Sequence, residues 1–291
     1  MKVTQRKPLV LPYLRGVGQI MLQNNAWTGA LFLAGIFYDS IVMGIAAVVA
    51  VITGTLTAKL LRYNENDIEA GLYGFSATLV GVALTFYFNP VPLVWVAVVL
   101  GSAVATWLQH QFIRRGWPGF TFPFILATWI LLYLFHHVYM PGAAASVAST
   151  MPVNDDFTTA TNGFGEVIFQ GSVIAGIIFF IAVFISSPIA ALYGVCASLL
   201  GAFISLEFAE PAMDIHMGLF SFNAVLCAIT FAGNKPRDGI WVLFSVVLSV
   251  LLDVGMLQQH MAVLTFPFVA ACWITLGMQY LAQKMGIKIK D

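Results

Sequence analysis

The sequence GLYGFSATL at residues 71–79 returns as GLFSFNAVL at residues 218–226, with five of the nine positions identical. GVGQ at residues 16–19 returns in the same way as GFGE at residues 163–166, and both spacings are 147 residues. The tetrapeptide TFPF also occurs twice, 144 residues apart. Repetition at a nearly constant interval predicts two related halves, which in a membrane protein commonly enclose a pathway between them.

The amino-acid composition predicts an integral membrane protein. Apolar residues make up 60% of the chain and charged residues 9%, with a mean hydropathy of +0.89. A soluble domain with these values would expose large apolar patches, so we expect the lipid bilayer to surround this chain. The formal net charge of zero gives no reason to expect nucleic acid as a partner.

Sequence motifs for other chemistry are missing. Cys196, Cys227 and Cys272 lie far apart in apolar segments and have neither metal-ligand nor redox spacing. No nucleotide-binding glycine loop or catalytic-triad spacing occurs. We therefore expect no metal and no cofactor, and neither an enzyme nor an energised pump.

Apolar segments long enough to cross a bilayer recur along the whole chain. If the N-terminus is cytoplasmic, all thirteen Lys and Arg residues fall on one side, as the positive-inside rule requires. The connection around Asp155 and Asp156 then lies outside. Asn24 and Asn25 are expected to interrupt or cap the first segment. The ten segments are residues 16–38, 40–61, 71–88, 91–113, 120–140, 163–185, 187–206, 217–233, 239–257 and 262–284.

The odd number of crossings in each half has a geometric consequence. Because each half would cross the membrane five times, the second half enters it from the opposite face. We therefore expect an all-α polytopic membrane protein built from two inverted repeats, residues 1–141 and 163–291. An extracytoplasmic connection, residues 142–162, would join them, and both termini would be cytoplasmic.

Gln19 and Glu166 occupy equivalent positions in the two halves, each directly after a Gly-x-Gly that allows close backbone approach. A carboxylate at membrane depth costs about 2.5–3.5 kcal/mol on insertion scales and is usually functional. Two acceptors related by a twofold axis would form two stations on one path. The alternative is that Glu166 lies at a helix end in contact with water.

Thr121 and Thr265 each precede a proline by two residues. Residues 116–123, GWPGFTFP, cannot form a regular helix, since Pro118 and Pro123 lack N–H donors and restrict the residues before them. Broken backbone at membrane depth is tolerated only against protein or a cavity, and its carbonyl groups are then free to accept hydrogen bonds. The alternative is that each threonine caps a helix.

Phe75 and Leu79, like their equivalents Phe222 and Leu226, are four residues apart and so share one helix face. By itself such a pair indicates ordinary core packing. Next to the duplicated acceptors, the same side chains suit the flat walls of a narrow slot for a planar solute. No ring of charges or ion filter is visible, so an ion is not the expected solute.

GQIMLQNN at residues 18–25, GLYGFSATLVG at residues 71–81 and PGFTFPF at residues 118–124 together resemble the urea transporters shared by bacteria and mammals. The resemblance covers nearly the whole chain, and we expect a bacterial member. It implies a channel-like facilitator in the cytoplasmic (inner) membrane, where each subunit of a homotrimer has its own pore. Urea would pass down its gradient while its NH₂ groups bond in turn to a ladder of oxygens, and the slot also suits short amides, ammonia or water.

The resemblance implies roles for the duplicated polar residues. Gln19 and Glu166 would accept hydrogen bonds from urea at the two ends of the ladder. Thr121 and Thr265 would line the central constriction, with Val167 nearby. The competing hypothesis is a proton-coupled secondary transporter of a small neutral amide, in which Glu166 is the coupling site.

The resemblance also implies the apolar walls. Short helices before Phe75 and Phe222 would re-enter the membrane and offer backbone carbonyl groups. Two departures stand out: Leu22 occupies a position where the family commonly has phenylalanine, and residues 261–267 lack the first proline of the signature. The slot would consist of Phe75, Leu79, Phe222 and Leu226, with Phe169 at one mouth.

Overall fold

The computed structural model describes residues 9–144, 156–208, 210–259 and 261–286. In these residues the chain is built from α-helices, with one isolated β-bridge between Phe88 and Ala143. The expected all-α polytopic membrane fold is confirmed. The helices are α1 (Leu11–Gly18), α2 (Ala26–Asp39), α3 (Ile41–Leu60), α4 (Glu65–Glu69), α5 (Phe75–Tyr87), α6 (Pro92–Arg115), α7 (Phe122–His137), α8 (Asp156–Glu166), α9 (Val173–Ser186), α10 (Pro188–Glu207), α11 (Ala212–Met217), α12 (Phe222–Phe231), α13 (Pro236–Gln258) and α14 (Phe266–Lys284).

The helices of the two halves correspond in order and in position. Helices α2 and α9 both have 14 residues, and α3 and α10 both have 20 residues. Both pairs begin 147 residues apart, whereas α7 and α14 begin 144 residues apart. Even the caps recur, since the Ser40 hydroxyl accepts from the Met43 N–H and the Ser187 hydroxyl from the Ala190 N–H. The repeated sequence therefore produces repeated local structure.

The first apolar segment, residues 16–38, is not one continuous helix, and its interruption lies beside Asn24 and Asn25, where the sequence predicted a break or a cap. Helix α1 ends at Gly18, and Leu22 has a φ of 59°, in the left-handed region that stops a helix. Asn25 then caps α2 by accepting a hydrogen bond from the Trp27 N–H at 2.9 Å, as the sequence predicts. Residues 163–185 are interrupted in the same way at Phe169, whose φ is also 59°.

The predicted spans also differ in length. Four single helices, α3, α6, α10 and α13, are long and apolar enough to cross a bilayer, and so is the stretch Ala212–Phe231, which contains a turn between α11 and α12. Helix α5 has only 13 residues, or about 20 Å, against a hydrocarbon core of about 30 Å. Ten full-length spans are therefore not what this sequence forms in the described residues.

The outer faces of the long helices carry large apolar side chains. Leu100 and Phe203 are each 61% exposed and Leu243 is 54% exposed, which suits contact with lipid. Inside the protein, α2 packs against α9, where the Phe32 and Phe179 rings meet edge to face with centroids 5.0 Å apart. These two rings are themselves 147 residues apart, so the halves touch through equivalent residues.

Candidate functional site

The hydroxyl groups of Thr121 and Thr265 meet at the centre of the candidate site. Their Oγ1 atoms lie 2.7 Å apart, and the two residues are 3% and 2% exposed. Each threonine stands immediately before a helix, but neither side chain makes a capping hydrogen bond. The capping alternative therefore does not describe these hydroxyls, which bond across the two halves instead.

The backbone before each threonine bends in the same way. Phe120 has a φ of 45° and Leu264 a φ of 49°, so the second bend forms without the first proline of the signature. The sequence predicted that the carbonyl groups at these bends would be free. Two of them instead accept hydrogen bonds from tryptophan indoles of the opposite half. The Trp129 Nε1 donates to the Ala262 oxygen and the Trp273 Nε1 donates to the Pro118 oxygen, both at 2.7 Å.

A cavity of about 600 Å³ has Thr265 in its lining. The same lining contains the polar residues Glu210, Asp214 and Gln258, of which Asp214 lies in the short helix α11 and Gln258 ends α13. Its walls are largely aromatic and aliphatic, with a few polar side chains, as is typical of sites for small molecules. The predicted site residues in its lining are Glu166, Val167, Phe169, Phe222 and Thr265.

Phe169 forms one aromatic wall of the cavity. Its ring centroid lies 5.1 Å from that of Phe86, 6.2 Å from that of Tyr87 and 6.4 Å from that of Phe124. These neighbours come from α5 and α7 in the first half, so the second-half residue Phe169 packs against the other repeat. Phe222, at the start of α12, is partly buried and also lines the cavity.

Close backbone approach places Gln19 and Glu166 at the ends of their helices. A Cβ on Gly18 would lie 2.6 Å from the Gln23 carbonyl oxygen, so only glycine fits where the chain turns back. Gly165 has the same relationship to Gln170, at 2.5 Å. Glu166 is the last residue of α8, is 9% exposed and borders the cavity.

The remaining predicted residues do not line this cavity. The Gln19 Nε2 donates to the Ala70 carbonyl oxygen at 3.0 Å, so its amide already has one partner. Leu22 is 38% exposed, whereas the other apolar residues lie in the hydrophobic core. The structure thus brings together five of the six second-half candidates and joins them to the first half through Thr121. The residues outside the lining are Gln19, Leu22, Phe75, Leu79, Thr121 and Leu226.

Sequence reasoning missed several polar residues of the cavity lining, among them the buried Asp253, and it missed the hydrogen bond that joins Asp253 to Asn223. Asp253 lines the cavity and is 1% exposed, and its Oδ2 accepts from the Asn223 Nδ2 at 2.9 Å. The same Nδ2 donates to the Leu264 oxygen at 3.3 Å, and the Asn223 Oδ1 accepts from the Phe268 N–H at 3.2 Å. A carboxylate inside an apolar segment was the available signal, since Asp253 lies in α13.

The cavity is rich in hydrogen-bond acceptors. Its described lining contains four carboxylate residues, Glu166, Glu210, Asp214 and Asp253, and no Lys, Arg or His. Such a lining suits a solute that carries many N–H donors and repels anions. No group of three or more His, Cys, Asp or Glu side chains in the described part of the chain could hold a metal ion.

Comparison with known proteins places the chain among transporters. The model of the family "Urea transporter" matches residues 10–280. Urea transporter 1 of Rattus norvegicus is 30% identical over 250 residues, and that of Mus musculus is 29% identical over 248 residues. Each alignment covers 78% of this chain and 65% of the relative, so the chain spans about two thirds of the length of these relatives.

Proposed function

Since this chain belongs to the urea transporter family, whose members are transporters or channels and not enzymes, we propose that it carries urea passively across a membrane, down its concentration gradient. Urea is neutral, planar and rich in N–H donors. A row of acceptors replaces its lost hydrogen bonds to water, and apolar walls exclude ions, which cannot recover their hydration there.

One observation carries this proposal: the aromatic-walled cavity, rich in acceptors, is lined by Thr265, whose buried hydroxyl bonds to that of Thr121 from the equivalent place in the other half. Glu166 would accept from urea within the cavity, with Val167 beside it and Phe169 and Phe222 as walls. Thr265 would then pass the NH₂ group to Thr121. The first-half part of the pathway would consist of Gln19, Leu22, Phe75 and Leu79, with Leu226 opposite.

We propose that residues 1–141 and 163–291 are inverted repeats joined outside the membrane by residues 142–162, of which 145–155 lie outside the described structure. Two equivalent indole hydrogen bonds, which we call the crossed indoles, run between the halves from Trp129 and Trp273. Together with the Phe32–Phe179 contact they support a twofold relationship. Arg15 and Lys59 line one small pocket together, which supports cytoplasmic termini and a positive inner side. In that orientation the cavity opens to the outside.

The family resemblance extends the proposal to the assembly and its location. The protein would be a bacterial member in the cytoplasmic (inner) membrane and would form a homotrimer with one pore in each subunit. Light scattering of the purified protein in detergent, with the detergent mass subtracted, would give three times the mass of the 31.6 kDa chain. A monomeric protein that still carries urea would contradict the trimer but leave the transport proposal intact.

A second candidate function is proton-coupled transport of a small neutral amide. It is favoured by the buried carboxylic residues Glu166 and Asp253, since carboxyl groups in membrane proteins often relay protons. In this mechanism Glu166 would release and take up a proton in each transport cycle. A passive channel needs no such step.

Flux through reconstituted liposomes separates the two candidates. Urea uptake is measured by stopped-flow light scattering, with and without a pH gradient, and compared with liposomes lacking protein. We expect uptake that follows the urea gradient alone and is unchanged by the pH gradient. Accumulation of urea above its external concentration would establish coupling instead. The same vesicles, tested with acetamide, ammonia and water, give the order of permeabilities.

A further inference from the structure

Only one of the two carboxylate oxygens of Asp253 has a hydrogen-bond partner among the described residues. Its Oδ2 accepts the hydrogen bond from Asn223, but its Oδ1 has no hydrogen-bond partner among the described residues. A buried acceptor without a partner is rare in folded proteins and calls for an explanation. Asp253 lines the cavity together with Glu166 and Thr265. Its Oδ1 has almost no exposed surface in this structure, so a solute in the cavity supplies the missing donor only after neighbouring side chains move aside.

From this arrangement we propose that Asp253 is a solute-binding residue of the cavity, a further acceptor for the N–H groups of urea and related amides. The inference rests on the proposed function and adds a subsite to it. The bond from Asn223 fixes the carboxylate, because that amide is itself held by Leu264 and Phe268. Asn223 therefore orients Asp253, and Asp253 contacts the solute.

The two halves differ at this subsite. At the spacing of 144 residues, Asp253 corresponds to Gln109, which is also buried, at 6% exposed, and whose Oε1 also lacks a hydrogen-bond partner in the described residues. Asn223 corresponds to Ser76, whose hydroxyl lacks a hydrogen-bond partner. The carboxylate and its amide support thus occur in the half that supplies most of the cavity lining, to which the first half adds Phe86 and Tyr87. The subsite would give the cavity a charged acceptor where the first half has only an amide oxygen.

The substitution Asp253→Asn changes the free atom from an acceptor to a donor. Its amide oxygen can still accept from Asn223, which leaves an NH₂ group in place of the unpaired oxygen. An N–H of urea would then face another donor. Asp253→Gln, which introduces the residue found at the equivalent position 109, makes the same exchange with a longer side chain.

The test compares urea with acetamide, in which a methyl group replaces one of the two NH₂ groups. Wild type, Asp253→Asn and Asp253→Gln are reconstituted at equal density, and both fluxes are measured by stopped flow. We expect urea flux to fall at least threefold more than acetamide flux, since urea has more N–H groups to pair. The control Asn223→Ser keeps the carboxylate but removes its support, so the urea-to-acetamide ratio should change less.

Three results would overturn this assignment. Unchanged fluxes, or a proportional fall of both fluxes, would mean that Asp253 does not discriminate by N–H donors. Failure of both variants to fold, seen by size-exclusion chromatography, would make Asp253 a structural residue. Wild-type liposomes that carry no more urea than protein-free ones would refute the proposed function itself, which is a different outcome from wild-type activity with an unchanged ratio.

Discussion

The hydroxyl of Thr121 lies 2.7 Å from that of Thr265, although the two residues are 144 positions apart. Each oxygen is buried, and each has the other as its hydrogen-bond partner. One hydroxyl donates in this bond and the other accepts, so the pair keeps acceptor capacity for a passing N–H group. Neither hydroxyl lacks a partner, and the pair still offers a bond to a solute.

Replacing either threonine with valine keeps the shape but removes one partner of this bond. We expect Thr121→Val or Thr265→Val to lower the free energy of unfolding by about 1–3 kcal/mol, because the remaining hydroxyl is buried and unpaired. The double variant should be no less stable than either single variant, since no orphan hydroxyl remains. Thermal unfolding in detergent measures this cycle.

The same variants report on transport. Urea flux should fall several-fold in both single variants, whereas Thr121→Ser, which keeps the hydroxyl, should retain most of it. Stopped-flow uptake at equal protein density gives the comparison. If both valine variants transport as well as wild type, the pathway does not pass between these threonines.

Glu166 is expected to act as an acceptor and not as a proton carrier. Glu166→Gln should therefore retain substantial urea flux, since its equivalent Gln19 is already uncharged. Glu166→Leu should lose most of the flux because it removes the acceptor. Stopped-flow uptake for both variants decides the matter. A glutamine variant as inactive as the leucine one, in a protein that a proton gradient drives, would establish coupling.

The crossed indoles should contribute equally to stability. Trp129→Phe and Trp273→Phe keep an aromatic ring but remove the N–H donor, so each should lower the free energy of unfolding by about 0.5–1.5 kcal/mol. Trp27→Phe is the matched control, because that side chain is 75% exposed and should matter little. Equal melting temperatures for the three variants would mean that the crossed bonds add no stability.

The orientation in the membrane can be tested by labelling single cysteines. The exposed Cys196, together with the two buried cysteines, is first replaced to give a cysteine-free background. A cysteine at Ser149 should then react with a membrane-impermeant maleimide in intact cells. A cysteine at Glu65, which is exposed on the predicted cytoplasmic side, should react only after permeabilisation. The opposite pattern would reverse the orientation.

The two related halves could be predicted because they repeat in the sequence, and the family resemblance implied that Thr121 and Thr265 line one constriction. An interruption at Asn24 and Asn25 was also expected, but the turn itself falls at Leu22, and the sequence gives no sign that a leucine will adopt a positive φ, which most non-glycine residues avoid. The break at Phe169 is hidden for the same reason. Hydrophobicity alone therefore merges α1 with α2 and α8 with α9.

The missed part of the site depends on contacts between distant segments. Asp253 looks like one polar residue in a long apolar helix, and its partner Asn223 lies 30 residues earlier. The packing of the two halves likewise decides which carbonyl group each indole bonds. Trp273, for example, is 155 residues from its partner Pro118. A search for polar residues at the spacing of 144 would have paired Asp253 with Gln109.

The crossed indoles also determine when the two halves can join during synthesis of the protein. A chain grows from its N-terminus, so the bend at Pro118 is synthesised long before α14 supplies Trp273. Thr121 likewise receives its partner only when Thr265 has emerged. The passage would thus be finished by nearly the last helix to insert, and a partly synthesised chain would offer solutes no complete route through the membrane.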